Sequence, residues 1–106
     1  MTMETKTYVP LEIARRLRKK GYHAERYAAN EMALPTYEQA IGWIGRKYGI
    51  LIGTIVTVPE AESNRKPKYY GLITPSRGNS TATTAEPTEE QALNRAIIKV
   101  LELIYE

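Results

Sequence analysis

Residues 50–58 read ILIGTIVTV. The run is β-branched almost throughout, which favours a strand. Apolar side chains fall on both of its faces, and that pattern predicts a central strand or one covered on both sides. Gly53 within it marks a bulge or a close packing contact, and Pro59 ends it. Residues 60–67, EAESNRKP, are charged and form a flexible linker. Residues 68–74, KYYGLIT, are a second strand stopped by Pro75. The simplest pairing of the two is an antiparallel hairpin with a long loop.

A lone hairpin cannot cover its own apolar side chains, so the flanking segments decide what covers them. Residues 88–105, TEEQALNRAIIKVLELIY, carry the densest apolar content of the chain. Leu93, Ala96, Ile97, Val100, Leu101 and Ile104 recur at spacings of three and four, the period of a one-faced helix. Thr88 after Pro87 is an N-cap, Gln91 completes a capping box, and Glu89 and Glu90 lie where the helix dipole favours negative charge. Ile98, Leu103 and Tyr105 lie outside this stripe and predict a second contact, with another helix or a second chain.

Two further helices precede the hairpin. Residues 36–48 open on Thr36 with Gln39 at the same capping-box spacing, present Tyr37, Ile41, Ile44 and Tyr48 on one stripe, and end at Gly49. Gly42 and Gly45 each cost that helix about 1 kcal/mol against alanine, which predicts a close approach by another element. Residues 10–20 start at Pro10, show Leu11, Ala14 and Leu17 on a narrow face, and end at Gly21 as a left-handed cap. The match of residues 35–41, PTYEQAI, to residues 87–93, PTEEQAL, reflects shared helix-start chemistry, because the similarity stops there. Residues 1–7 are expected to fray, and residues 22–30 to form a short edge strand or an irregular link. Residues 76–86, SRGNSTATTAE, have little to bury and predict a mobile loop, with a third short strand within residues 81–84 as the alternative.

The chain is therefore expected to be a single α+β domain over residues 1–106. A two- or three-stranded antiparallel sheet on the hairpin 50–58/68–74 is packed by helices at about 10–20, 36–48 and 88–105. So small a sheet rarely covers this many apolar positions alone, which predicts homodimerisation through the hairpin or the last helix.

Composition narrows the chemistry. There is no cysteine, so no disulfide, thiol nucleophile or thiolate metal site. Aspartate is absent and His23 is the only histidine, which argues against two-metal and zinc chemistry. No glycine-rich phosphate loop or nucleophile elbow is present. No apolar run reaches membrane-spanning length and no signal-peptide core is seen, so the expected location is the cytoplasm. No cofactor is expected.

Net charge is +3 and uneven, with a basic front and an acidic tail. The best candidate contact is the first helix, where Arg15, Arg16, Arg18, Lys19 and Lys20 crowd one short segment near Tyr22 and Tyr27. Such a face can meet phosphates or other anions, or be no more than the solvated side of an amphipathic helix. A DNA-reading helix usually follows another helix closely, and none precedes this one. Lys66, Pro67, Lys68, Tyr69 and Tyr70 form a second basic and aromatic patch, able to hold an anion or a single strand or to blunt a sheet edge. Glu38 and Glu90 sit at matching helix starts, where dipole complementarity accounts for them.

Tyr8-Val9 before a basic helix ending Lys19-Lys20-Gly21-Tyr22, then Leu34-Pro35-Thr36 and Ala40-Ile41-Gly42-Trp43-Ile44, resembles a family of small proteins of unknown function. The family is common in gut bacteria of the Bacteroides type, their phages and mobile elements. The resemblance runs over residues 8–105 and includes Glu89-Glu90-Gln91-Ala92 and Ala96-Ile97-Ile98-Lys99. The long Ser/Thr loop and the missing cysteine in the last helix depart from it. It implies a small cytoplasmic α+β protein of phage or mobile-element origin and assigns no functional residue. The expected function is a non-enzymatic protein-interaction or accessory role, with a nucleic-acid-associated protein acting through the basic helix as the alternative.

Overall fold

The computed structural model describes residues 8–22, 34–58 and 65–104. The expectations for residues 1–7, for His23 to Asn30, for most of the linker and for Tyr105 lie outside them. The elements follow the order α1 (Leu11–Lys19), α2 (Tyr37–Tyr48), β1 (Ile50–Thr57), β2 (Lys68–Pro75), β3 (Thr81–Ala82) and α3 (Glu89–Leu103). The fold is α+β, with a three-stranded antiparallel sheet in the order β1-β2-β3.

The caps follow the sequence closely. Thr36 Oγ1 accepts from the Gln39 N–H at 3.1 Å while Gln39 Oε1 accepts from the Thr36 N–H at 3.0 Å, a complete capping box. Thr88 Oγ1 accepts from the Gln91 N–H, but its hydroxyl also turns to Gln91 Oε1, so the reciprocal half of that second box is replaced by a side-chain pair. Gly21 has φ 106° and closes α1, its N–H reaching the Arg18 carbonyl while Tyr22 N–H reaches Leu17. These paired bonds satisfy the last carbonyls of the helix. Gly49, at φ 71°, closes α2 with a single bond from its N–H to the Gly45 carbonyl at 3.0 Å.

The core is one cluster. Val9, Ile13, Ala14 and Leu17 from the first segment meet Tyr37, Ala40 and Ile44 from α2, and Ala96, Ile97, Val100 and Leu101 from α3. Ile52 and Ile73, register partners on β1 and β2, are the sheet's main contribution. Tyr37 bridges α2 to α3, its hydroxyl donating to Asn94 Oδ1. Burial and the neighbouring Glu90 carboxylate push that hydroxyl up to about 12, against the pull of the Asn94 bond, so it remains a neutral donor at ordinary pH.

Three expectations need correction. The first concerns β1, which is an edge strand rather than a central or doubly covered one. Only Ile52 is buried, while Leu51, Ile55, Val56 and Val58 are 66%, 42%, 46% and 74% exposed. The second concerns residues 76–86, expected as a mobile loop. Their second half lies along β2, with Leu72 opposite Ala82 and Ile73 opposite Thr81, and with Tyr69 and Glu86 exchanging backbone bonds of 2.9 and 2.8 Å. The weighed alternative of a third strand within residues 81–84 describes the structure. Backbone and threonine hydroxyl bonds, rather than buried side chains, hold this segment. The Thr83 N–H donates to the Gly71 carbonyl and Thr83 Oγ1 accepts from the Gly71 N–H, both at 2.8 Å. By taking β2's far side, the segment makes β2 the central strand and leaves β1 outside.

The third correction concerns glycine. Gly42 and Gly45 mark no tight approach, since added Cβ atoms there would meet only an arginine tip at 3.3 Å and backbone at 3.6 Å. Gly53 sits in unbroken register opposite Leu72 and has open space above it. The glycine that matters is Gly71 in β2, where a Cβ would lie 2.6 Å from the Ala92 carbonyl oxygen and 2.7 Å from Ala96 Cβ. α3 therefore packs almost directly on the β2 backbone.

Candidate interaction surfaces

The basic helix was the leading site expected from sequence. Residues four apart on α1 share a face, so Glu12, Arg16 and Lys20 form one row facing α3. Arg15, Arg16, Lys19 and Lys20 line a groove of about 510 Å³ against α3, together with Glu12, Leu101 and Glu102. Arg18 does not line it. Two of the four cations already have structural duties. Arg16 is 3.1 Å from Glu12 and 4.0 Å from Glu102. Lys20 donates from Nζ to the Ile104 carbonyl at 2.6 Å, placing a cation on the C-terminus of α3 where the dipole is negative. Arg15, Arg18 and Lys19 are exposed and, among the described residues, form no ion pair. The groove thus carries four cations and two carboxylates, a much weaker anion attractor than five free cations.

Of the two aromatic partners expected beside the helix, Tyr22 is engaged elsewhere. Tyr22 packs edge-on against Trp43 with ring centroids 5.4 Å apart. Trp43 in turn packs on Tyr48, and Lys47 Nζ sits 5.2 Å from the Trp43 ring. The same ammonium donates to the Lys20 carbonyl at 3.2 Å, tying α2 to the end of α1. Tyr27 lies outside the described residues. This cluster is best described as a joint between helices.

The second patch is divided as well. Lys66, Pro67 and Lys68 line a cavity of about 800 Å³ with Arg65, Val58 and Glu86. Tyr69 and Tyr70 point to opposite faces of the sheet, as neighbours in a strand must, so they make no shared stacking platform. Glu86 is 3.1 Å from Arg95 and already partnered. Among the described residues no group of three His, Cys, Asp or Glu side chains can hold a metal ion. No helix among them is long and apolar enough to cross a membrane.

The surface that sequence reasoning missed is the outer edge of β1, which among the described residues has no strand beside it. Tyr69 and Gly71 direct their N–H and C=O groups at residues 83–86. Backbone groups alternate sides along a strand, so Tyr70, Leu72 and Thr74 direct theirs at β1. Their register mates are Ile55, Gly53 and Leu51. It follows that Ile52, Thr54 and Val56 direct their backbone groups away from the sheet. Residues 50–58 hold no charged residue, no proline and, by the continuous register, no bulge. Edge strands are ordinarily blunted by one of these devices. The signal was present in the sequence as an uncharged run, but the same run also describes a buried strand. Only the position of the chain after β2 separates the two cases.

Comparison with protein-family models, with curated proteins and with solved structures gives no match.

Proposed function

We propose that this protein is a small non-enzymatic interaction module that works by strand addition at β1. The observation that carries the reading is the edge of β1, which pairs with no other strand among the described residues. The three outward backbone positions, Ile52, Thr54 and Val56, alternate with the exposed Leu51, Ile55 and, beyond Thr57, Val58, and Val56 is itself exposed. Strand addition uses these features, backbone bonds giving affinity and alternate side chains giving selectivity. The occupant is an extended, uncharged strand of another protein chain. The nucleic-acid reading rests on the basic groove of α1, and it is weakened by Glu12 and Glu102 within that groove and by the duties of Arg16 and Lys20.

The test uses a soluble strand peptide of alternating valine and threonine with terminal lysines, titrated into the isotope-labelled protein. Amide shifts are expected at Ile52, Thr54 and Val56, with little change on α1. A parallel titration of DNA and RNA is expected to show no affinity that falls steeply with salt. Shifts confined to Arg15 and Lys19 on nucleic acid, with an unresponsive β1, overturn the proposal in favour of the alternative.

A further inference from the structure

We infer that the strand received at β1 is β1 of a second copy, paired antiparallel about a two-fold axis through Thr54. This rests on the interaction reading above and names its partner. An edge whose outward groups are Ile52, Thr54 and Val56 is self-complementary in one register. Centring the axis on Thr54 places Ile52 opposite the partner's Val56 and Thr54 opposite its counterpart. Every outward N–H and C=O of the three then meets a mate. The side chains agree with this register. Gly53, with nothing within 4 Å of its Cβ position, falls opposite Ile55 of the second copy, which is 42% exposed. The two copies interlock at that point, each covering the other's bare glycine. Threonine opposite threonine is a favourable cross-strand pair.

Charge supports a second copy over a charged partner. Residues 50–58 bring no charge to the strand pair, so two molecules of net charge +3 meet along a neutral seam. A charge close to the axis is that of Glu89, whose Oε2 accepts from Thr54 Oγ1 at 3.0 Å. The axis brings both Glu89 side chains to one face of the sheet, so association strengthens with salt as their repulsion is screened. This is opposite in sign to phosphate binding. The small area places the contact among weak, transient interfaces. Nine residues at ~3.4 Å each, by a layer ~10 Å deep, give a strip of roughly 300 Å² on each copy. That is well below the ~800 Å² per partner of a standard interface. The dimer is therefore weak and reversible.

The chain lacks cysteine, so an introduced thiol reports one contact alone. Bonded antiparallel partners lie ~5.5 Å apart at Cα, inside the ~4.4–6.8 Å that a disulfide spans. Thr54→Cys under mild oxidation is expected to give a covalent dimer in high yield. Leu51→Cys is the more exposed of the two sites but lies ~20 Å from its own copy across the axis, and it is expected to stay monomeric. Sedimentation of the unmodified protein is expected to show the reversible dimer, tighter at about 500 mM than at about 50 mM salt. Ile55→Lys, which places two cations near the axis on an exposed site, is expected to weaken it at least tenfold while leaving the melting temperature nearly unchanged. Equal cross-linking of Thr54→Cys and Leu51→Cys, or none, overturns the register. A protein monomeric throughout that still takes the strand peptide overturns the second copy and leaves strand addition standing; failure of both removes the interaction reading itself.

Discussion

A chain ending at Lys99 is expected to show no cooperative unfolding transition. The truncation removes Val100, Leu101 and Ile104, which are 0%, 4% and 9% exposed. Full burial of side chains of this size contributes about 1.5–3 kcal/mol each, so the loss is roughly 5–9 kcal/mol. A domain of this length has only about 5–15 kcal/mol in total. The cut also deletes the Ile104 carbonyl that receives Lys20, and with it the tie between the ends of α1 and α3. Calorimetry and circular dichroism of the truncated chain check this. A sharp transition within a few degrees of the full chain contradicts the central place given to α3.

Gly71→Ala is expected to destabilise the protein by roughly 2 kcal/mol or more, the cost of forcing atoms into a filled core. Its melting temperature should fall by about 10 °C. A glycine-to-alanine change inside a strand ordinarily gains about 0.5–1 kcal/mol, so the sign here is diagnostic. The new methyl lands 2.6 Å from the Ala92 carbonyl oxygen and 2.7 Å from Ala96 Cβ. Both belong to α3, and a helix backbone cannot swing aside as a side-chain tip can. Relief requires lifting α3 from β2, which loosens Ala96 and Ile97 in the same core. Gly53→Ala is the matched comparison, since its Cβ enters open space, and it is expected to be neutral or slightly stabilising. Thermal melts of the two variants side by side decide the matter. A neutral Gly71→Ala contradicts the close packing of α3 on β2.

Elements carried by local chemistry were legible in the sequence. Thr36, Gln39 and Gly49 bracket α2, and Thr88 with Gln91 opens α3, because caps act within one turn of chain. The hairpin was legible from the β-branched run 50–58 and the aromatic and aliphatic run 68–74, each followed by proline. What was not legible depends on residues distant in sequence. Whether 50–58 is central or at an edge depends on where residues 81–86 lie, and threonines with little to bury gave no hint of it. Gly71 looked ordinary because its partners, Ala92 and Ala96, follow about twenty residues later and are themselves small. The basic helix was legible as a cluster, but not the fate of its members. Glu12 lies on the same helix and could be paired with Arg16 on paper. The Lys20 acceptor, a backbone carbonyl at the end of α3, carries no sequence signal.

The most direct measurement is amide hydrogen exchange along β1 as a function of protein concentration. The amides of Leu51, Gly53 and Ile55 bond to β2 and are expected to be protected at every concentration. Those of Ile52, Thr54 and Val56 face outward and are expected to exchange quickly in dilute protein. They should become protected as concentration rises. If these three exchange at one rate from dilute to concentrated protein, the edge of β1 receives no second copy and the account is wrong.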